Sequence, residues 1–390
     1  MTELRVVEVA EEHLDSVWEV RTRSFGMGGD RDEWKKTARS FIVDGRYLGV
    51  VDGDELVAAA RIWPHEQWWG GRRVPMGGVA GVVVAPEYRG RGVGSLLMRA
   101  VLNLCAEKGY PLTALYPATT VLYRHLGYEF AGSRHLYTFE AADLRTLGGT
   151  SRGNGTAVRK AGRDDADLFL ELASKANETR RSNGPLIWPR TEVESWLEDE
   201  SNFAYVAEDG FVVYKWQDGN LAVEELIAES EETARALWAT VGSGASIAKT
   251  VEACCPPFDP IHLMVEHEAL GKSWQNRWML RLVDAPAALA GRGFPDGAVL
   301  EADLRIDDPE LPANTGDWHL SISNGSASLT AKEPSDDALR VGPRGLAALY
   351  AGTPLATLRG AGLVTGGAAV ADSAFDAVFG GPAAYMLDDF

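Results

Sequence analysis

Cysteine is scarce, with three in 390 residues. Cys105, Cys254 and Cys255 cannot build a disulfide framework, and two of them are adjacent, a poor geometry for pairing with one another. Small thiols filling a core in a reducing cytoplasm are the expectation. Basic residues are also in deficit: 38 Lys and Arg face 56 Asp and Glu, a formal charge of −18. Phosphate-backbone contact needs a basic surface, so no nucleic-acid partner is expected, and cationic small molecules are favoured instead. No apolar run reaches the roughly 18 residues of a membrane helix, and Met1–Arg5 has no apolar signal core, so no membrane insertion is expected. No Cys/His cluster has metal-ligand spacing, and no metal is expected. The dinucleotide G-x-G-x-x-G and the P-loop Gly-Lys-Ser/Thr are both missing.

What the chain does have is the stretch from Val79 to Met98. It reads as a buried apolar strand, halted at Pro86, then a turn with Gly90, Gly92 and Gly94, then a helix. The helix shows its 3.6-residue period in Leu96, Leu97, Ala100, Val101 and Leu104. Alternating glycines let a backbone approach a ligand closely, and the free N–H groups opening the helix face an anion with the positive end of the helix dipole behind them. Arg89 and Arg91 add charge-assisted donors. The expected ligand is a pyrophosphate.

At this length two or three domains are expected. The first, 1–147, reads as a strand (Leu4–Val9), two helices (Leu14–Phe25 and Asp32–Phe41) and a hairpin at Asp52-Gly53-Asp54. The cradle follows, then a short strand (Leu112–Leu115), a helix (Thr120–Leu126) and a closing strand (Arg134–Phe139), an α+β unit with a mixed sheet. Gly148–Gly155 has linker composition. The pattern then restarts over 156–277: Val158–Asn177 repeats the opening strand and helix, and Phe203–Tyr214 echoes Tyr47–Val57. Where the cradle should recur, Leu221–Ile227 runs into Ala228-Glu229-Ser230-Glu231-Glu232-Thr233-Ala234. Carboxylates there would repel a pyrophosphate, so this copy is expected to keep the fold and to have lost cofactor binding. A third unit, 278–390, is expected to open on a strand at Arg277–Val283, followed by a helix (Ala285–Gly291) and alternating strands at Ala298–Ile306, Trp318–Ser323 and Ala327–Ala331.

Arg89-Gly90-Arg91-Gly92-Val93-Gly94 fits R/Q-x-x-G-x-G/A, and the segment resembles the GCN5-related N-acetyltransferases (GNAT), whose cofactor is acetyl-CoA. The resemblance implies that backbone N–H groups of the preceding strand, at Val82 and Val84 with Val83 between, hold the pantetheine and thioester. With Arg89, Gly90, Arg91, Gly92, Val93 and Gly94 they make the cofactor-binding set. Tyr123, in the Tyr-x-x-x-Gly-Tyr pattern ending at Tyr128, is the candidate proton donor to the leaving thiolate, since a phenol of pKa ~10 stays protonated at neutral pH. Gly127 would cap that helix, and His125 reads as a surface residue. An acetyltransferase domain, a degenerate copy and a sterol-carrier-protein-like third domain together resemble the Eis acetyltransferases of actinobacteria. That resemblance implies a C-terminal carboxylate acting as base, here on Phe390, cationic amines such as aminoglycosides as substrates, and a homohexamer. A free α-carboxylate has a pKa near ~3.5, which burial would raise toward usefulness. Trp18, Trp34, Trp63, Trp68, Trp69, Asp388 and Asp389 are the candidate pocket walls. An acyltransferase for peptide or protein amines, or a lipid carrier with an idle acetyltransferase domain, are the alternative readings.

Overall fold

The computed structural model describes residues 4–26, 29–148, 156–267, 270–368 and 371–390. All but the first residue of the expected linker, Gly148–Gly155, lies outside them. In the first unit, β1 (Leu4–Glu8) leads to α1 (Leu14–Phe25), α2 (Arg31–Val43), β2 (Tyr47–Asp52) and the long hairpin of β3 (Glu55–Trp69) and β4 (Arg72–Val84). Then come α3 (Val93–Glu107), β5 (Leu112–Leu115), α4 (Thr120–His125), β6 (Glu129–Glu140) and α5 (Ala141–Thr146). Asp30 caps α2 by accepting from the N–H groups of Asp32 and Glu33, and α1 ends on Gly26 in the left-handed region, the start and stop chemistry those residues supply. The second unit repeats the plan with β7 (Arg159–Lys160), α6 (Ala166–Thr179), β8 (Leu186–Ile187), α7 (Arg190–Glu198), β9 (Asn202–Ala207), β10 (Gly210–Gln217), β11 (Asn220–Ala228), α8 (Glu231–Gly242), β12 (Thr250–Cys254), α9 (Ile261–Met264) and β13 (Leu270–Leu282).

These strands form one sheet in the order β1-β2-β3-β4-β5-β13-β6-β12-β11-β10-β9-β7, with β8 added to β3. The two halves mirror one another: β4 runs parallel to β5 as β11 runs parallel to β12. Their last strands are exchanged. β6, from the first unit, pairs with β12 of the second, while β13, from the second, pairs with β5 of the first. Each repeat is therefore completed by the other's final strand.

The expected opening of the third unit at Trp278 is corrected by this exchange. Trp278, Met279, Leu280, Arg281 and Leu282 are all buried, the pattern of a central strand covered on both faces, and β13 carries them into the large sheet. The third unit proper consists of α10 (Ala285–Gly291), β14 (Leu300–Ile306), β15 (Gly316–Ser323), β16 (Ser326–Ala331), β17 (Leu339–Val341), α11 (Pro343–Tyr350), α12 (Leu355–Gly360), β18 (Val364–Gly366) and α13 (Asp372–Phe379). Its five strands order as β16-β15-β14-β17-β18. Its core merges with that of the large sheet, where Trp69 packs edge-on against Tyr350 at 4.8 Å and Trp278 at 6.1 Å.

A buried ion pair fastens the three units together. Arg281 on β13 and Asp308 after β14 are 0% and 1% exposed, joined by two bonds of 2.6 and 2.7 Å. Arg281 also donates to the carbonyls of Leu126, at the end of α4, and Leu282. Asp308 further accepts from Asn314 Nδ2 and the Leu311 N–H. Removing one partner strands a charge in the interior, so Asp308→Ala should cost about 3–5 kcal/mol. Denaturant unfolding of the full chain would test this; a loss under about 1 kcal/mol would show that the pair does not hold the units together.

Candidate active site

The strand-to-helix turn has the geometry that a pyrophosphate needs. β4 pairs with β5 only over Met76–Gly78, then continues to Val84 paired with β3 alone, so the two parallel strands splay apart. The Ala85 N–H donates to Val57 on β3, whereas the Val84 carbonyl turns away and accepts from Ser24 Oγ and Arg89 Nε. By strand alternation the N–H groups of Val84 and Val82 leave β3 and face the groove, while Val83 points to β3 and its side chain is buried. Gly90 and Gly92 sit at φ 75° and 80°, in the left-handed region, with no atom within 4 Å of where a Cβ would stand. The same position on Gly94 would meet Leu122 Cδ2 at 3.3 Å, so this glycine serves the packing of α3 on α4. The first bond within α3 runs from the Leu96 N–H to the Gly92 carbonyl. The N–H groups of Val93, Gly94 and Ser95 precede it and lack intrahelical acceptors. Arg89 and Arg91 are exposed, and the Arg91 guanidinium lies 5.4 Å from the Tyr88 ring centre. The groove measures about 850 Å³ and reaches from this turn to Leu122 and Tyr123, with the exposed His125 on its lining.

Tyr123 is buried on α4, its ring 5.9 Å from that of Tyr128. Burial pushes its phenol up to about 12. It therefore stays protonated across the physiological range. Leu126 and Tyr128 both donate backbone N–H groups to the Tyr123 carbonyl, which fixes the turn after the helix. Gly127 is left-handed there, and a Cβ would strike Arg281 Nε and the Pro343 ring, so the close packing of three units demands glycine.

The C-terminus is bound, residue by residue, into the seam between the two repeats. Ser133 on β6 donates its N–H to the Ala384 carbonyl and accepts from the Met386 N–H, a short parallel bridge, while on the other side the Tyr385 N–H donates to the Asn183 carbonyl. Arg134 Nε donates to the Leu387 carbonyl at 2.7 Å and the Tyr116 hydroxyl to the Asp388 carbonyl at 2.8 Å. A Cβ on Gly132 or Gly184 would overlap the tail's main chain. The last residue then reaches Gly78, the point at which β4 and β5 part: the Phe390 ring fills the space where a Gly78 Cβ would stand, and touches the rings of His65 and Tyr116.

Beside the tail the second repeat contributes an aromatic and acidic cavity. Two adjoining hollows, the larger about 260 Å³, share Trp188, Trp196, Val213, Glu225, Leu387 and Asp388. Glu224, Asp389 and Arg134 stand at the wider one. Burial raises the Glu225 carboxyl to about 8, with the Asp388 charge adding to it, and burial raises Asp388 to about 6. Two carboxyl groups that resist ionisation together make a site that a cation would relieve. Of the expected wall residues, Trp68, Asp388 and Asp389 do line these hollows. Trp69 does not: it is fully buried against Trp278 and Tyr350. Trp18 and Trp34 pack on each other at 5.3 Å, and Trp63 stacks on His65. Sequence reading missed Trp188, Trp196, Glu224, Glu225 and His65. Their signal is spatial, since strands of both repeats and the tail bring them together.

Comparison with known proteins is decisive. A crystal structure of a GCN5-related N-acetyltransferase from Kribbella flavida is 62% identical, covers 100% of this chain and 98% of that one, and superposes with a TM-score of 0.96. The chain belongs to the GCN5-related N-acetyltransferases. It is accordingly an N-acetyltransferase, and its arrangement is Eis-like. Eis1 from Mycobacterium abscessus is 25% identical with full coverage of both chains and a TM-score of 0.77. The N-acetyltransferase Eis of Mycobacterium tuberculosis is 25% identical over 309 residues, 75% of this chain and 74% of that protein. Family models match a GNAT acetyltransferase domain at residues 5–131, a second at 182–282 and a sterol carrier protein domain at 285–387. In the second GNAT domain α8 is capped by its own Ser230, whose Oγ accepts from the Thr233 N–H, and Glu231 and Glu232 occupy its first turn. The glycine-capped opening of α3 in the first domain has no such plug.

His65 is the least satisfied group of this acetyltransferase's centre. It is 4% exposed, and neither ring nitrogen has a hydrogen-bond partner among the described residues. Burial, and then the Arg46 charge, hold it down to about 4. The folded protein keeps the imidazole neutral, while the unfolded chain takes up a proton below its ordinary pKa of ~6.5. Stability contributed by this depressed histidine is therefore full above pH ~6.5 and is lost as pH falls from there toward 4. His65→Phe, an aromatic among aromatics, should raise Tm and flatten its pH dependence across that window. Parallel Tm-against-pH curves for the two proteins would refute the assignment.

Proposed function

We propose that this protein transfers an acetyl group from acetyl-CoA directly to a primary amine of a polycationic small molecule, with aminoglycosides the first class to test. The observation that carries the reading is the convergence of the C-terminal residue on the splay of β4 and β5, next to a cavity lined by two half-buried carboxyl groups. Acetyl-CoA supplies an acyl group activated as a thioester. The backbone of Arg89–Gly94 would bind its pyrophosphate, and the N–H groups of Val82 and Val84 would hold the pantetheine arm. Asp388 would hold an ammonium group and Glu225, neutral until a cation arrives, would give up its proton beside it, with Trp188 and Trp196 adding cation–π contact worth ~0.5–2 kcal/mol. The Phe390 α-carboxylate would take the proton from the attacking amine, and the Tyr123 hydroxyl would give one to the departing sulfur. Assembly as a homo-oligomer, a hexamer by resemblance, is supported by Phe258 and Leu263, 86% and 92% exposed on the second GNAT domain. A cytoplasmic location belongs to the same reading.

Assays of thiol release with a panel of amines test the substrate class: polycationic acceptors should react, and a panel in which only neutral or anionic acceptors react would overturn it. Tyr123→Phe should lower kcat by ~10²-fold or more with little change in acetyl-CoA affinity, as loss of a general acid requires. Turnover close to that of the unaltered enzyme would mean another donor acts. Extending the chain by a few residues beyond Phe390 should nearly abolish turnover while leaving acetyl-CoA binding intact, whereas Phe390→Leu should retain activity because the role needs no side chain. Full kcat in an extended enzyme, with the extension verified by mass spectrometry, would remove the carboxylate from the mechanism.

A further inference from the structure

A second cavity lies where all three units meet, away from the groove and the acidic hollows. It measures about 360 Å³ and is walled by Gly70 from the turn between β3 and β4, by Arg181 and Asn183 after α6, and by Arg292, Asp296 and Gly381 from the third unit. Arg292 is 2% exposed. Rings of Phe294, Tyr350 and Phe379 cover its guanidinium at 4.9 to 5.4 Å. Aromatic faces attract the cation but accept nothing from its in-plane N–H groups. Nη2 donates to the Phe379 carbonyl, and Nε has no partner. Among the described residues no carboxylate pairs with it, in contrast to the equally buried Arg281 with Asp308.

Burial and the nearby Arg181 charge depress Arg292 to about 10, so it still carries its charge at neutral pH. Arg181 is one of three non-glycine residues with positive φ among the described residues, at 52°. Its only ion-pair partner there is Asp296, at 3.7 Å and 92% exposed by side chain. A strained residue thus directs a second cation toward a buried cation that lacks a counter-ion.

We propose that this junction binds a small oxyanion, bridged between Arg181 and Arg292. The site sits at the root of the C-terminal tail. Asn183 accepts from the Gly70 N–H through Oδ1, donates to the Pro382 carbonyl through Nδ2, and accepts from Tyr385 through its own carbonyl. An anion held beside it ties the third unit and the tail to both GNAT domains.

The test is thermal unfolding and calorimetric titration of the full-length protein with inorganic phosphate, sulfate or acetate, each at ionic strength matched with sodium chloride. A saturable rise in Tm is expected, with affinity at least about tenfold weaker in Arg181→Gln, where a charge-assisted contact is lost. Arg181 is a third exposed by side chain, so that variant stays folded even if Arg292→Gln does not. The substitution leaves the Arg89–Gly94 turn untouched, so anion binding there would persist in the variant. Saturation by phosphate or sulfate assigns a tetrahedral ligand, and saturation by acetate alone assigns a carboxylate; either supports the site. A non-saturating rise that is equal in both proteins is a general salt effect, and it would overturn the proposal.

Discussion

The molecule's architecture depends on one buried charge, Arg281. Its strand, β13, comes from the second GNAT domain but lies in the first, and its guanidinium holds the carbonyl that ends α4 and the carboxylate of Asp308 in the third unit. A guanidinium at zero exposure is tolerable only if its donors are met, and here three units each meet some of them. Replacing such a pair by apolar residues is often neutral, so its value is better sought in specificity than in net stability. The ladders with β5 and β6 fix the register of β13, and the bond from Arg281 Nε to the Leu126 carbonyl then ties the end of α4, the helix that carries Tyr123, to that strand. Glu129, two residues past Gly127, is gripped by Arg124 of α4 and Arg344 of α11, so the same helix end is tied to the third unit a second time.

The same economy places the C-terminus. A chain end is normally mobile because few of its backbone groups find partners. This one exchanges hydrogen bonds with Ser133, Asn183, Arg134 and Tyr116, drawn from both GNAT domains. Those contacts exist only because strand exchange brings β6 and the loop after α6 to one seam. Glycine at 132 and 184 leaves room for the tail's main chain, and glycine at 78 leaves room for the Phe390 ring. Exchange of strands, a docked tail and a terminal residue at the splay are thus one structural fact with three aspects.

What was legible in the sequence follows from the range of the interaction. The turn from Arg89 to Gly94 could be read because its chemistry is local: glycines for left-handed backbone, apolar residues on both sides, arginines between. The degenerate repeat was legible for the same reason, as a strand–turn–strand echo with carboxylates in place of glycines. The exchange of β6 and β13 was not, since pairing partners more than a hundred residues apart leave no periodicity to read. The boundary set at Trp278 erred accordingly, because a change of composition marked a deeply buried strand and not a new unit. Trp69 misled in a related way: an aromatic pair at 68 and 69 alternates across a strand, so one ring faces the cavity and its neighbour the core.

The two GNAT domains open their equivalent helices differently. In the first domain the opening of α3 has Gly92 at its cap and no side chain satisfying its first N–H groups. In the second, Ser230 satisfies a corresponding N–H group and two glutamates occupy the first turn, so the positive end of the helix dipole is already answered within the fold. The strand leading into α8 is then free to carry Glu224 and Glu225, which in a working phosphate cradle would oppose the ligand. One repeat thus opens its helix on glycines and backbone N–H groups, and the other opens it on carboxylates, so the two copies of one fold present opposite charge at equivalent places.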